Sequence, residues 1–254
     1  MDFIVLYFSK MITLLILIIF LVNESIMAAT LNNRQNSRPN SPRGEVTQSC
    51  QRETPFKIAI LSVTHAPGYC SNVECKRHQN EWLIHGLWPD HGNNTSPEFC
   101  CYEPFLNTTS LQPIRKQLET QWRNLIQDRT DHNHWIHQWK KHGTCASSSR
   151  MRGQLNYFRT ALELHDQLEM NQWMSRGNIS YGQSHQFDKV KNAIENGFGK
   201  RARFSCSKPA SSTFPILTEV RFCYEPQNLT KTDCPAQRRH TCQHNSNKVY
   251  LKRV

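Results

Sequence analysis

The 254-residue chain carries 31 Lys and Arg against 20 Asp and Glu, a formal charge of +11, and it holds ten cysteines. No apolar run reaches the roughly 18 to 20 residues that span a bilayer, which argues against a membrane-spanning protein. The cationic balance favours polyanionic partners, because Lys and Arg release counterions when they neutralise phosphates. Charge alone fits a solubility device or a wall-binding surface equally well.

Along the chain, Lys10 precedes an apolar run from Met11 to Val22, and the small residues Ala28 and Ala29 follow. That is the pattern of a secretory signal peptide cleaved near Ala28. Residues 1–28 are assigned to it, and the product is expected to be extracellular and free of the membrane. Loss of Asp2, Lys10 and Glu24 with this segment takes the charge to about +12 and leaves roughly 225 residues, which suits one large domain. Residues 29–49 are polar, basic and turn-rich without periodicity, the composition of a disordered extension. The folded domain is placed at 50–254.

Within it, Phe56–Val63 and Glu81–Leu87 read as strands, the second carrying His85. Leu111, Ile114, Leu118, Trp122 and Leu125 recur at intervals of three and four, the stripe of one amphipathic helix. Further helices are expected at His134–His142, Leu155–Leu168 and Phe187–Asn196, and further strands at Ile216–Tyr224 and Lys248–Val254. Helices and strands without regular alternation predict an α+β fold, its sheet mainly antiparallel and packed with helices.

The cysteines are Cys50, Cys70, Cys75, Cys100, Cys101, Cys145, Cys206, Cys223, Cys234 and Cys242. An even number in an exported chain argues for a disulfide staple, with the pairing left open. Zinc is disfavoured, since only Cys70-x4-Cys75 and the adjacent Cys100 and Cys101 approach a ligand spacing, and no metal or other cofactor is expected. Sequons at Asn93, Asn94, Asn107, Asn178 and Asn228 are candidate glycosylation sites. Asn93 and Asn94 overlap, so one glycan is expected there.

Two histidine clusters carry the chemistry: Ile84-His85-Gly86-Leu87-Trp88-Pro89-Asp90, and His134 to Cys145 (HWIHQWKKHGTC). On a helix, Gln138 and His142 share a face, as do His137 and Lys141. Cleaving RNA through its own 2'-hydroxyl needs a base, an acid, and donors that hold the charge on the phosphorane. Two histidines suit the first two roles because their pKa lies near working pH. Lys141 and His137 offer positive charge, and Trp88 offers a face for a base, a contact worth about 1–3 kcal/mol in single-strand binders.

IHGLWPD and HQWKKHGTC resemble the two active-site motifs of the RNase T2 family of secreted, transferase-type ribonucleases, with similarity running from about Cys50 to Val254. The resemblance implies that 50–254 is a ribonuclease domain, that His142 is the general base, His85 the general acid and Lys141 the group stabilising the transition state. It further implies that His137 binds phosphate and that Trp88 contacts the nucleotide. It also implies disulfides Cys70–Cys75, Cys206–Cys242 and Cys223–Cys234, with Cys145 bonded to Cys100 or Cys101 and the remaining member left for Cys50. Where the family usually has Glu, this chain has Gln138, which keeps a hydrogen-bonding carbonyl but no charge; activity is expected to be altered, not abolished. A non-catalytic RNA-binding descendant is the alternative.

The basic charge looks more like that of the pistil S-RNases of plant self-incompatibility than that of the generally acidic S-like enzymes. This implies RNA as substrate and pollen F-box-type recognition proteins as partners of a monomer. A defence or phosphate-recycling enzyme fits the same charge. Trp82, Trp135 and Trp139 are read as packing residues, His132 and His134 as surface groups, and Lys200, Arg201 and Arg203 as a solvated basic face.

Overall fold

The computed structural model describes residues 55–101, 105–236, 241–242 and 247–254. The proposed signal peptide, the extension and Cys50 lie outside these residues. The chain is an α+β protein whose sheet is mainly antiparallel. Strand β1 (Ile58–His65) lies between β2 (Trp82–Asp90) and β5 (Ile216–Tyr224), antiparallel to both. β5 is the hub: β4 (Arg203–Ser207) and β6 (Lys231–Thr232) also pair with it, and β7 (Lys248–Leu251) meets it in parallel at Ile216 and Tyr250. β3 (Gln183–Gln186) closes the sheet on β7.

Alternation along β1 divides two clusters. Ala59, Leu61 and Val63 enter the main core with Ile84 and Leu87, while Ile58 and Ile60 pack with Trp88 and the Cys223–Cys234 disulfide. Behind the short α1 (Ala66–Tyr69), the main core is closed by helices α2 (Arg115–Gln121), α3 (Asp131–Lys141), α4 (Gln154–Asp166), α5 (Met170–Arg176) and α6 (Phe187–Phe198). Trp122, Tyr157, Phe158, Phe198 and Phe222 are fully buried there. Each such ring removes an apolar surface worth about 1.5–3 kcal/mol. No helix among the described residues is long and apolar enough to cross a membrane.

The single helix expected at Leu111–Leu125 is in fact a 3-10 segment, Thr108–Ile114, followed by the short α2. Pro113 has no N–H to continue an α-helical ladder, and Asn107 caps the tighter segment by accepting from Thr109 N at 3.0 Å. The apolar stripe survives the change, since Leu111, Ile114, Leu118, Trp122 and Leu125 are all buried.

Disulfides join Cys70 to Cys75, Cys100 to Cys145, Cys206 to Cys242 and Cys223 to Cys234. Cys100, not Cys101, is thus the partner of Cys145, and Cys101 is disulfide-bonded as well. Of the sequon asparagines, Asn93, Asn94, Asn178 and Asn228 are exposed and Asn107 is half-buried. Asn94 Oδ1 accepts from Arg203 Nη2 at 2.7 Å, and Asn93 Oδ1 accepts from Thr95 Oγ1 at 2.6 Å. Arg203 is buried, donating also to Pro235 O, which removes it from the solvated face formed by exposed Lys200 and Arg201.

Candidate active site

The register of β1 against β2 passes from Ser62–Gly86 to Val63–Ile84, so His85 is the extra residue of a β-bulge. A bulge frees backbone groups from the ladder and re-aims a side chain. The His85 carbonyl accordingly accepts from Trp122 Nε1 at 3.0 Å and from His134 Nε2 at 3.2 Å. The ring projects to where Nδ1 meets Glu219 Oε2 of β5 at 2.6 Å. A carboxylate only accepts, so Nδ1 carries a proton and Nε2 is the nitrogen left for chemistry.

α3 presents the second cluster. Thr130 Oγ1 caps it by accepting from Asn133 N at 3.1 Å, Asp131 lies in its first turn, and Lys140 and Lys141 lie in its last, each matching the helix dipole. His142 is the C-cap rather than a helical residue, turned by its φ of −121° and ψ of −45°. Gly143 follows because any Cβ there would strike the Trp139 ring.

Trp88 joins the clusters. Its ring centroid is 5.1 Å from that of His85, edge-on, and 5.4 Å from that of His142. Its Nε1 donates to the buried Gln138 Oε1 at 3.1 Å. Gly86 makes this possible, since a Cβ there would lie against both atoms of that bond. The Tyr157 hydroxyl, donating to Leu87 O at 2.8 Å, ties α4 to β2 from below.

The two histidines occupy opposite electrostatic settings. His142 is buried, and desolvation, followed by the charges of Lys141, His137 and His85, lowers its pKa to about 3. Its Nδ1 is buried with no hydrogen-bond partner among the described residues, so a second N–H would be an orphan donor there. His85 is 38% exposed and sits against a carboxylate. Burial pushes Glu219 up, but the hydrogen bond from His85 and the charges of His85 and Arg221 outweigh it and bring Glu219 to about 2. Arg221 Nε donates to the other Glu219 oxygen at 2.7 Å, and its guanidinium lies 4.9 Å from the Trp88 centroid.

His137 is exposed on the outer side of α3; desolvation, then Lys141, His85 and Arg129 lower its pKa, with Glu98 opposing. Lys141 Nζ lies 3.2 Å from Glu98 Oε1. His134 is not a free surface group: its ring stacks on His85 at 6.1 Å, and desolvation, then the charge of His85, brings it to about 4. A cavity of about 510 Å³ opens beside these groups, lined in part by His85, His134, His137, Asn124 and Arg129. Trp82, Trp135 and Trp139 are buried, and Lys140 and His132 are exposed.

The structure therefore brings His85, Trp88, His137, Gln138, Lys141 and His142 into one region. Glu219, Arg221, Glu98 and the buttressing role of His134 were missed from sequence. Glu219 did leave a signal, as a carboxylate inside a mostly apolar strand with Arg221 two residues on, on the same face.

On an α+β scaffold the two motifs thus place two histidines, a lysine and an indole together, the side chains of an enzyme site. The model of the Ribonuclease T2 family matches residues 56–234. The chain is 29% identical over 196 residues to Ribonuclease S-6 of Nicotiana alata, covering 76% of this chain and 86% of that relative. It is 29% identical over 178 residues to Ribonuclease DdI of Dictyostelium discoideum, with 68% and 76% covered. The solved self-incompatibility-associated SF11-RNase of Nicotiana alata has a TM-score of 0.66 at 26% identity, over 78% of this chain and 100% of that one. The chain belongs to the Ribonuclease T2 family and is a T2-type endoribonuclease.

Proposed function

We propose that the protein is a secreted, metal-independent endoribonuclease that cleaves single-stranded RNA by transfer to the 2'-oxygen, releasing 2',3'-cyclic phosphate ends. The observation that carries this reading is the placement of His85 and His142 about one Trp88 ring, 5.1 and 5.4 Å away, in opposite electrostatic settings. A neutral His142 takes the 2'-hydroxyl proton as general base. His85, its Nδ1 proton held by Glu219, protonates the leaving 5'-oxygen through Nε2. Lys141 stabilises the charge on the phosphorane, His137 binds phosphate, and Trp88 contacts a base. Gln138 carries no charge to these steps; its place is to hold Trp88, so its substitution for a carboxylate tunes the rate without removing acid or base.

The finer role proposed is that of a pistil S-RNase met by pollen F-box-type partners, supported by the +11 charge and by the similarity to Ribonuclease S-6 of Nicotiana alata. Expression confined to the pistil with high allelic diversity supports that role; induction in leaf or root by phosphate shortage speaks for recycling instead. The reaction itself is tested by digesting single-stranded RNA in EDTA. Turnover that survives chelation, leaves cyclic phosphate ends and disappears in His85→Ala and His142→Ala is expected. Dependence on added metal refutes the mechanism, and an inactive wild type supports a non-catalytic RNA-binding protein.

A further inference from the structure

We propose that Glu98 is a positioning residue for Lys141, holding its ammonium group at the two-histidine site and supplying there the negative charge that the neutral Gln138 lacks. The inference rests on the reading of Lys141 as the group that stabilises the phosphorane.

Glu98 Oε1 lies 3.2 Å from Lys141 Nζ. An isolated pair between half-exposed side chains, here 30% and 41% accessible, ordinarily contributes little. This one sits on a segment fastened at three points. Phe99 N donates to Lys141 O at 2.9 Å, the backbone of the residue whose side chain Glu98 meets. Cys100 is bonded to Cys145, at the far end of the same cluster. Upstream, Ser96 Oγ donates to Asp90 Oδ2 at 3.1 Å, returning the segment to the end of β2. Phe99 adopts a φ of +52°, a conformation a non-glycine side chain takes only when its surroundings impose it. The carboxylate is therefore delivered to Lys141 from both motif-bearing elements, β2 and α3.

The electrostatics give it something to do. His137, Lys141, His142, His85 and Arg129 bring positive or protonatable groups into one region, and Gln138 offsets none of them. Facing His137 are Lys141 and His85, which disfavour its protonated form together with Arg129, while Glu98 favours it. An ammonium has three donors. The 3.2 Å ion pair leaves donors for a phosphoryl oxygen, so the pair can orient Lys141 without blocking it. Because Glu98 is itself an anion beside a phosphate site, its removal should not weaken substrate binding. An orienting role thus separates from a binding role in the kinetics.

The test is E98Q in the full secreted protein, beside wild type and H142A, with kcat and KM on a short single-stranded oligoribonucleotide in EDTA and an NMR titration of the His137 imidazole. The expected result is a kcat lower by about two- to fivefold, the scale of a partly exposed ion pair, with KM no higher than wild type and His137 titrating at lower pH. An unchanged kcat, or a loss carried by a higher KM, overturns the proposal and leaves the two-histidine reading standing. A wild type no more active than H142A overturns the reading of Lys141 instead; an unshifted His137 titration then also overturns the Glu98 contact.

Discussion

Replacing Gly86 by Ala adds one methyl group at the point where the two motifs meet. On the present backbone the new Cβ would lie 3.0 Å from Gln138 Cδ and closer still to Gln138 Oε1 and Trp88 Nε1. Neither neighbour can yield freely, since Gln138 is 2% exposed and the Trp88 ring is wedged between His85, His142 and Arg221. Relief requires a shift on the order of 1 Å, enough to break the 3.1 Å bond between Trp88 and Gln138. The buried carbonyl left unpaired costs about 1–3 kcal/mol, and overpacking adds a similar about 1–3 kcal/mol. Each kcal/mol lowers the Tm of a domain this size by about 2–4 °C. Because Trp88 abuts both histidines, the same shift should lower kcat/KM by about a hundredfold, the usual consequence of misplacing reacting groups by that distance. Turnover of an oligoribonucleotide and a calorimetric melt measure the two effects. A Gly86→Ala enzyme with wild-type Tm and kcat/KM within threefold of wild type would refute the argument that this glycine exists to admit the Trp88–Gln138 contact.

Two further outcomes concern pH. kcat/KM reports the free enzyme's acid and base, and His142, the proposed base, is held down to about 3 by burial and by Lys141, His137 and His85. The profile should therefore show no acid limb near 6.5 between pH 7 and 5; a midpoint close to 6.5 would remove His142 as the base in this setting. His65 is fully buried between Trp82 and Tyr181, 4.8 and 5.2 Å away, and burial lowers its pKa to about 4. The unfolded chain takes up a proton at His65 that the folded chain refuses. Stability from this group is thus complete above 6.5 and declines as pH falls towards 4, by about 2 kcal/mol at pH 5. Urea unfolding of His65→Phe at pH 7.5 and pH 5 should lose about 2 kcal/mol less than wild type between the two, and identical losses would show that His65 is not the group responsible.

Much of the fold was readable because its hydrophobic pattern is local. β5 runs from Ile216 to Tyr224, the expected bounds, and α4 and α6 differ from expectation by only a residue or two at either end. What escaped was set by distant partners. β3 is short and polar throughout and β4 short and mixed, and their pairing with β7 and β5 is what makes them strands. α5 (MNQWMSR) is too short for a stripe to declare itself, and it forms because Met170, Trp173 and Met174 bury against the core. At Leu111–Leu125 a genuine apolar stripe concealed Pro113, which lies inside the 3-10 segment and has no N–H to offer an α-helical ladder.

The site divides in the same way. The motifs supply His85 and His142 as like residues, and nothing within either motif distinguishes their environments. The difference comes from elsewhere in the chain: Glu219, 134 residues after His85, accepts from its Nδ1, while His142 is buried against Trp88 and its Nδ1 has no partner among the described residues. The bulge contributes as well, since it takes His85 out of the β1–β2 ladder, and from there its Nδ1 reaches Glu219. The proposed acid and base thus differ in burial and in one carboxylate. An imidazole enclosed away from water stays neutral and can accept a proton, and one exposed against a fixed anion is oriented to give one up. Exchanging the two proposed roles would require moving Glu219 to the other histidine and opening the site around His142, so the packing of β5 and α3, and not the motifs alone, supports the proposed assignment.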